Sequence, residues 1–172
     1  MKKIDISGKR YDNLTVLEFS HSNRGNKDRY WKLICDCGEL CYATQSSLER
    51  GRRNFCKKCN DIKSKKSAIN IIYKSYEKNA INRNYIFEIT INDFEKLVFQ
   101  NCDYCGFKPI NKSKNSMKFK FKYNGIDRIN NKLGYTVDNC ITCCKYCNNA
   151  KKDNNVEEFK QWLNYVKTIN CK

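Results

Sequence analysis

At 172 residues the chain has room for one ordinary domain or two small ones, and a unit that small needs a staple beyond its apolar core. Its 34 Lys and Arg against 18 Asp and Glu give a formal net charge of +16. An excess of that size points to a polyanionic partner, because each cation set near a phosphate releases condensed counterions. The start, MKKIDISGKRYDN, lacks the apolar run of a secretion signal, and no segment is long enough to span a bilayer, so the expectation is a cytoplasmic protein of a bacterium or a phage-infected host cell.

In a reducing compartment the 12 cysteines, most of them in close pairs, read as zinc ligands more readily than as disulfides. Over residues 1–60 short apolar runs alternate with polar breaks. Leu14 to Phe19 and Trp31 to Cys35 read as strands of a small β-rich module, separated by the loop SHSNRGNKDR. Cys35 and Cys37 on a tight turn, with Cys56 and Cys59 downstream, can close one tetrahedral thiolate site; Cys41 is an alternative member. From Asp61 to about Asn82 there is no Gly or Pro, and Ile69, Ile72, Tyr73, Tyr76 and Ala80 recur at helical spacing. That predicts a basic linker helix over 61–84, whose lysines can track a phosphate backbone.

Tyr85 to Ile89 reads as a brief strand, and Thr90 with Asp93 as the cap of a short helix from Ile91 to about Phe99. The knuckle Cys102-Asp-Tyr-Cys105 finds its natural partner in Cys144-Lys-Tyr-Cys147, with Cys143 as a possible substitute for Cys144. Cys140 and Cys171 have no evident partner. Between the knuckles, Tyr123 to Ile129 and Asn139 to Cys143 read as two strands around a loop rich in Asn, Lys and Gly, with a polar helix after them. Asp127 closes the first strand and Asn148 lies in the helix, so one oxygen ligand from each can meet at a hard cation, with Arg128, Lys151 and Lys152 beside them for phosphate. Asn155 and Glu158 open a last helix with the apolar stripe Val156, Phe159, Leu163 and Val166.

Two resemblances follow. GKRYDNLTVLEF, the CDCG turn and the late cysteine pair resemble the small cysteine-rich module that precedes nuclease or DNA-binding domains in phage proteins, which implies that Arg50, Arg52 and Arg53 contact phosphate. CDYCG, NGIDRINN, GYTVDNC and CCKYCNNAKKD followed by EEF resemble the HNH, or ββα-metal, endonuclease domain over roughly Ile69 to Leu163. The expected fold is therefore α+β: a β-rich zinc module (1–60), a linker helix (61–84) and a zinc-stapled ββα-metal domain with a C-terminal helix (85–172).

The resemblance implies two structural zinc ions and one catalytic Mg2+ or Mn2+ on Asp127 and Asn148, with Asn139 pinning the loop of the finger. Double-stranded DNA is the implied partner, with room for a homodimer. One position departs from the family. Arg128 stands where the histidine that deprotonates water is expected, and a guanidinium, all donors and no acceptor, is suited to holding phosphate and not to taking a proton. The single histidine, His21, lies in the N-terminal module. Tyr85, Tyr123 and Tyr135 are the candidate replacements, Tyr85 preferred. The reading is a metal-dependent endonuclease with a base other than histidine; the alternative is a zinc-stapled DNA-binding protein without catalysis.

Overall fold

The computed structural model describes residues 4–23, 25, 28–113 and 119–169, so Cys171 lies outside the described residues. It shows a mixed α+β protein with a β-rich N-terminal sheet, helices and two cysteine clusters able to bind zinc. The chain divides into two units, residues 1–64 and 65–172.

In the first unit β1 (Arg10–Tyr11), β2 (Leu14–Ser22), β3 (Arg29–Cys35) and β4 (Leu40–Thr44) form an antiparallel meander. Alternation sets its inner face: Leu14 and Val16 on β2, Trp31, Leu33 and Cys35 on β3, and Cys41 and Ala43 on β4 are buried. Each large side chain contributes about 1.5–3 kcal/mol on full burial, which for so few residues leaves a small core. Two irregularities in the β2–β3 register, at Val16/Glu18 and Phe19/His21, release the outer half of β2 from that core. Thr44 caps a short helix, α1 (Gln45–Glu49), accepting from the Ser47 amide at 3.3 Å, and Gly51 at φ 62° ends it.

The predicted basic helix is α2 (Lys57–Ile81), four residues longer at its start than the sequence suggested. Its stripe packs as expected. Ala68, Ile69, Ile72 and Ala80 are buried, and Tyr73 and Tyr76 flank them in a core shared with Ile89, Phe94, Val98, Ile126, Tyr135 and Cys140. Thr90 caps α3 (Ile91–Val98), accepting from the Asp93 amide and donating to the Asp93 carboxylate at 2.7 Å.

Two strand expectations need correction. Tyr85 to Ile89 is no strand: among the described residues it makes one isolated bridge, Phe87 to Tyr135, with backbone bonds from Ile86, Glu88 and Ile89 that go to Tyr135. A Cβ on Gly134 would meet the Ile86 carbonyl oxygen, so glycine is what permits that approach. The run from Tyr123 to Ile129 is split at Asn124, which is fully buried. Its amide donates to Val98 O, and its side chain donates to Gln100 O and Phe107 O. Ahead of it, β6 (Lys122–Tyr123) pairs with β5 (Asn111–Lys112); after it, β7 (Gly125–Arg128) pairs antiparallel with β8 (Cys140–Cys143). β8 leads at once into α4 (Lys145–Lys151), and Asn155 starts α5 (Val156–Ile169) by accepting from the Glu158 amide at 2.8 Å.

Candidate metal and phosphate site

β7, β8 and α4 are consecutive in the order strand, loop, strand, helix, and the loop between the strands is tied down by one side chain. The Asn139 amide donates to Asn130 O and Gly134 O, and its carbonyl oxygen accepts from the Asn130 amide at 2.8 Å. That single side chain closes both ends of the loop onto itself. With the loop fixed, Asp127 at the end of β7 and Asn148 in α4 line one cleft of about 530 Å³, together with Arg128, Lys152, Asp153, Tyr76, Arg83, Asn131 and Tyr135. A carboxylate and an amide facing the same space are donors of the kind a hard cation selects.

Asp127 is buried and already partnered. Its Oδ2 accepts from the Tyr104 hydroxyl at 2.7 Å and from the Lys151 ammonium at 3.1 Å. Lys151 is fully buried, and its remaining donors reach Arg128 O at 3.3 Å and Asn131 Oδ1 at 3.2 Å. Three acceptors exhaust an ammonium group. The expectation that Lys151 touches DNA phosphate is therefore corrected: its place on the inner side of a short helix turns it towards Asp127. Burial first, and then the bond to Asp127, push the Tyr104 hydroxyl well above the usual phenol range, which keeps it a donor.

Arg128 is also buried. Its Nη1 donates to Asn131 O at 3.0 Å and Leu133 O at 2.8 Å, and its guanidinium lies over the rings of Tyr85 (3.7 Å) and Tyr135 (5.3 Å). Nε and Nη2 make none of these bonds, and the residue lines the cleft. Tyr85 thus serves as the platform under Arg128 and is not among the cleft-lining residues. Tyr135 does line it, with its hydroxyl engaged by Arg83 Nη2 at 2.8 Å. Tyr123 packs in the core cluster beside Phe121. His21, in the first unit, stacks on Tyr30 with its ring centroid 4.8 Å away.

The two cysteine tetrads have the expected members. The Sγ atoms of Cys35, Cys37, Cys56 and Cys59 lie within 4.8 Å of one another, as do those of Cys102, Cys105, Cys144 and Cys147. A tetrahedral ion with Zn–S bonds of about 2.3 Å sets its sulfurs about 3.8 Å apart. Cys37 and Cys56 are 3.6 Å apart and Cys105 and Cys144 3.7 Å, so both sets fit zinc. Cys41 and Cys143 stay outside the tetrads. Cys143 donates to Cys144 O at 3.4 Å, and its thiol is the largest influence holding Cys102 below the usual thiol range. Cys140, buried in the core, is pushed up to about 12, chiefly by that burial.

Of the expected phosphate contacts, Lys152 is exposed at the end of α4 with φ 49°, and it lines the cleft. In the first unit Arg50 and Arg52 are exposed, and Arg53 lines a shallow hollow with Cys41 and Cys56. Sequence reasoning passed over Arg83, just beyond α2, and Tyr104. An aromatic residue between two cysteine ligands, which zinc itself does not need, was the available sign for Tyr104.

No protein-family model matches the chain. Over 87 residues it is 46% identical to an uncharacterized protein of Acanthamoeba polyphaga mimivirus, a stretch that is 51% of this chain and 14% of that protein. Among solved structures it is similar to the rare-cutting HNH restriction endonuclease PacI, with a TM-score of 0.43 and 17% identity over 68% of this chain and 81% of that one. None of the helices of the described residues is long and apolar enough to cross a membrane.

Proposed function

We propose that this protein is a metal-dependent endonuclease of HNH type that hydrolyses phosphodiester bonds in double-stranded DNA. The observation that carries the reading is the cleft itself: an acidic strand residue, Asp127, and an amide on the following helix, Asn148, share it with the cations Arg128, Arg83 and Lys152. Both contacts to Asp127 fall on Oδ2, which leaves Oδ1 to bind Mg2+ or Mn2+ alongside Asn148. A divalent ion held there polarises a phosphoryl oxygen and makes bound water more acidic. The Arg128 guanidinium is fixed by the loop, so it holds the scissile phosphate and offsets charge that builds up on it. Lys152 and Arg83 hold the flanking phosphates, and in the N-terminal module Arg50, Arg52 and Arg53 are further phosphate contacts. Each cysteine tetrad carries one structural zinc.

Incubating the purified protein with plasmid DNA and Mg2+ or Mn2+ tests this. Wild type nicks or linearises the plasmid and Asp127→Ala does not; equal cleavage by both, or by neither, contradicts the proposal. One observation favours a second reading, a zinc-stapled DNA-binding protein without catalysis: the Lys151 ammonium already supplies a positive charge to Asp127. On that reading DNA binding falls steeply with salt, survives Asp127→Ala, and is accompanied by no cleavage.

A further inference from the structure

The second cysteine tetrad and the cleft are joined by one side chain. Tyr104 stands between the ligands Cys102 and Cys105, and the turn that carries it is held from both sides: Gly106 N donates to Cys102 O at 2.8 Å, Cys102 N to Phe107 O at 2.9 Å, and Asp103 N to Thr142 O on β8 at 2.9 Å. The Tyr104 ring is buried, edge-on to Phe159 of α5 with centroids 5.1 Å apart, and its hydroxyl ends 2.7 Å from Asp127 Oδ2. Lys151 meets the same oxygen at 3.1 Å from the far end of α4, the helix that Cys144 caps. Both donors to one oxygen of Asp127 are thus anchored to segments that carry zinc ligands.

We propose that Tyr104 is a positioning residue for the divalent-cation site: with Lys151 it clamps Oδ2 of Asp127, leaving Oδ1 for the cation, so that the zinc knuckle fixes the orientation of the cleft carboxylate. The inference rests on the cation reading of the cleft given above. Ordering the carboxylate in advance removes the cost of orienting it when the ion arrives. Loss of an outer partner of a ligand ordinarily weakens metal binding about 10- to 100-fold.

The experiment is a Mn2+ titration followed by electron paramagnetic resonance, on the full chain with both zinc ions in place, comparing wild type, Asp127→Ala, Tyr104→Phe and Val156→Ala. Val156 is buried in the same cluster as Tyr104 but its apolar side chain has no group to donate to Asp127, so its truncation loosens the packing and leaves the clamp's hydrogen bonds in place. The clamp predicts that Tyr104→Phe keeps two zinc ions and raises the Mn2+ Kd about 10- to 100-fold, while Val156→Ala binds like wild type. Tyr104→Phe binding as tightly as wild type overturns it. So does equal weakening in Val156→Ala, or release of zinc from Tyr104→Phe, since the side chain would then serve packing or the knuckle alone. If wild type shows no Asp127-dependent Mn2+ binding, the cation reading of the cleft falls and takes the clamp with it.

Discussion

The guanidinium of Arg128 lies 3.7 Å from the centroid of the Tyr85 ring. A cation stacked on a desolvated aromatic face gains about 1–2 kcal/mol, and the gain resides in the ring and not in the hydroxyl. Tyr85→Phe is therefore expected to cleave DNA at close to the wild-type rate, whereas Tyr85→Ala frees Arg128 and lowers it. A drop of about 100-fold or more in Tyr85→Phe, the size expected for removal of a base or nucleophile, would return that role to the hydroxyl; single-turnover cleavage of a labelled duplex distinguishes the two.

Lys151 gives a second test. Removing one partner of a buried ion pair typically costs about 3–5 kcal/mol, because the other charge is left stranded. Lys151→Ala is expected to lower stability by about that amount in denaturant unfolding. Exposed Lys152→Ala is expected to change stability by less than about 0.5 kcal/mol. A surface phosphate contact at Lys151 would show the reverse: unchanged stability and weaker DNA binding.

Arg83 and Lys152 are exposed cations that line the cleft just beyond the ends of α2 and α4, Arg83 also donating to the Tyr135 hydroxyl and to Asn79 O. Replacing either by alanine is expected to weaken DNA binding about equally for all sequences and to reduce the salt slope by about one, as read by fluorescence anisotropy across salt concentrations. An unchanged slope for both would remove the cleft from the DNA interface.

Zinc content provides a fourth. Two equivalents per chain are expected by elemental analysis, with one lost in Cys56→Ser and one in Cys144→Ser. Chelation is expected to destabilise both units, because cores this small depend on a staple for much of their stability. Retention of both ions in either variant would reassign the ligands.

The parts of this fold that were legible in the sequence were those set by local periodicity or fixed spacing. The stripe Ile69, Ile72, Tyr73, Tyr76 needs only helical period, and the four cysteine pairs need only ligand geometry. Tyr85 to Ile89 reads as a strand because its β-branched and aromatic composition suits one, yet among the described residues its β pairing is a single bridge to a short segment admitted by Gly134. The split at Asn124 depends on carbonyl groups at Val98, Gln100 and Phe107, which are neighbours only after folding. The same holds for the site. That Asp127 and Asn148 share a cleft follows from the order of strand and helix, but the burial of Lys151 depends on which face of a short helix turns inward. The reach of Tyr104 to Asp127 depends on where the knuckle docks, and neither is written in any local pattern.

The central claim is a divalent ion between Asp127 and Asn148, and anomalous diffraction from a crystal soaked in Mn2+ tests it most directly. The account predicts a peak bonded to Oδ1 of Asp127 and to the Asn148 side chain, with Arg128 facing it across the cleft and both cysteine tetrads still holding zinc. A cleft without a peak, or one in which Mn2+ binds without touching Asp127, would contradict it.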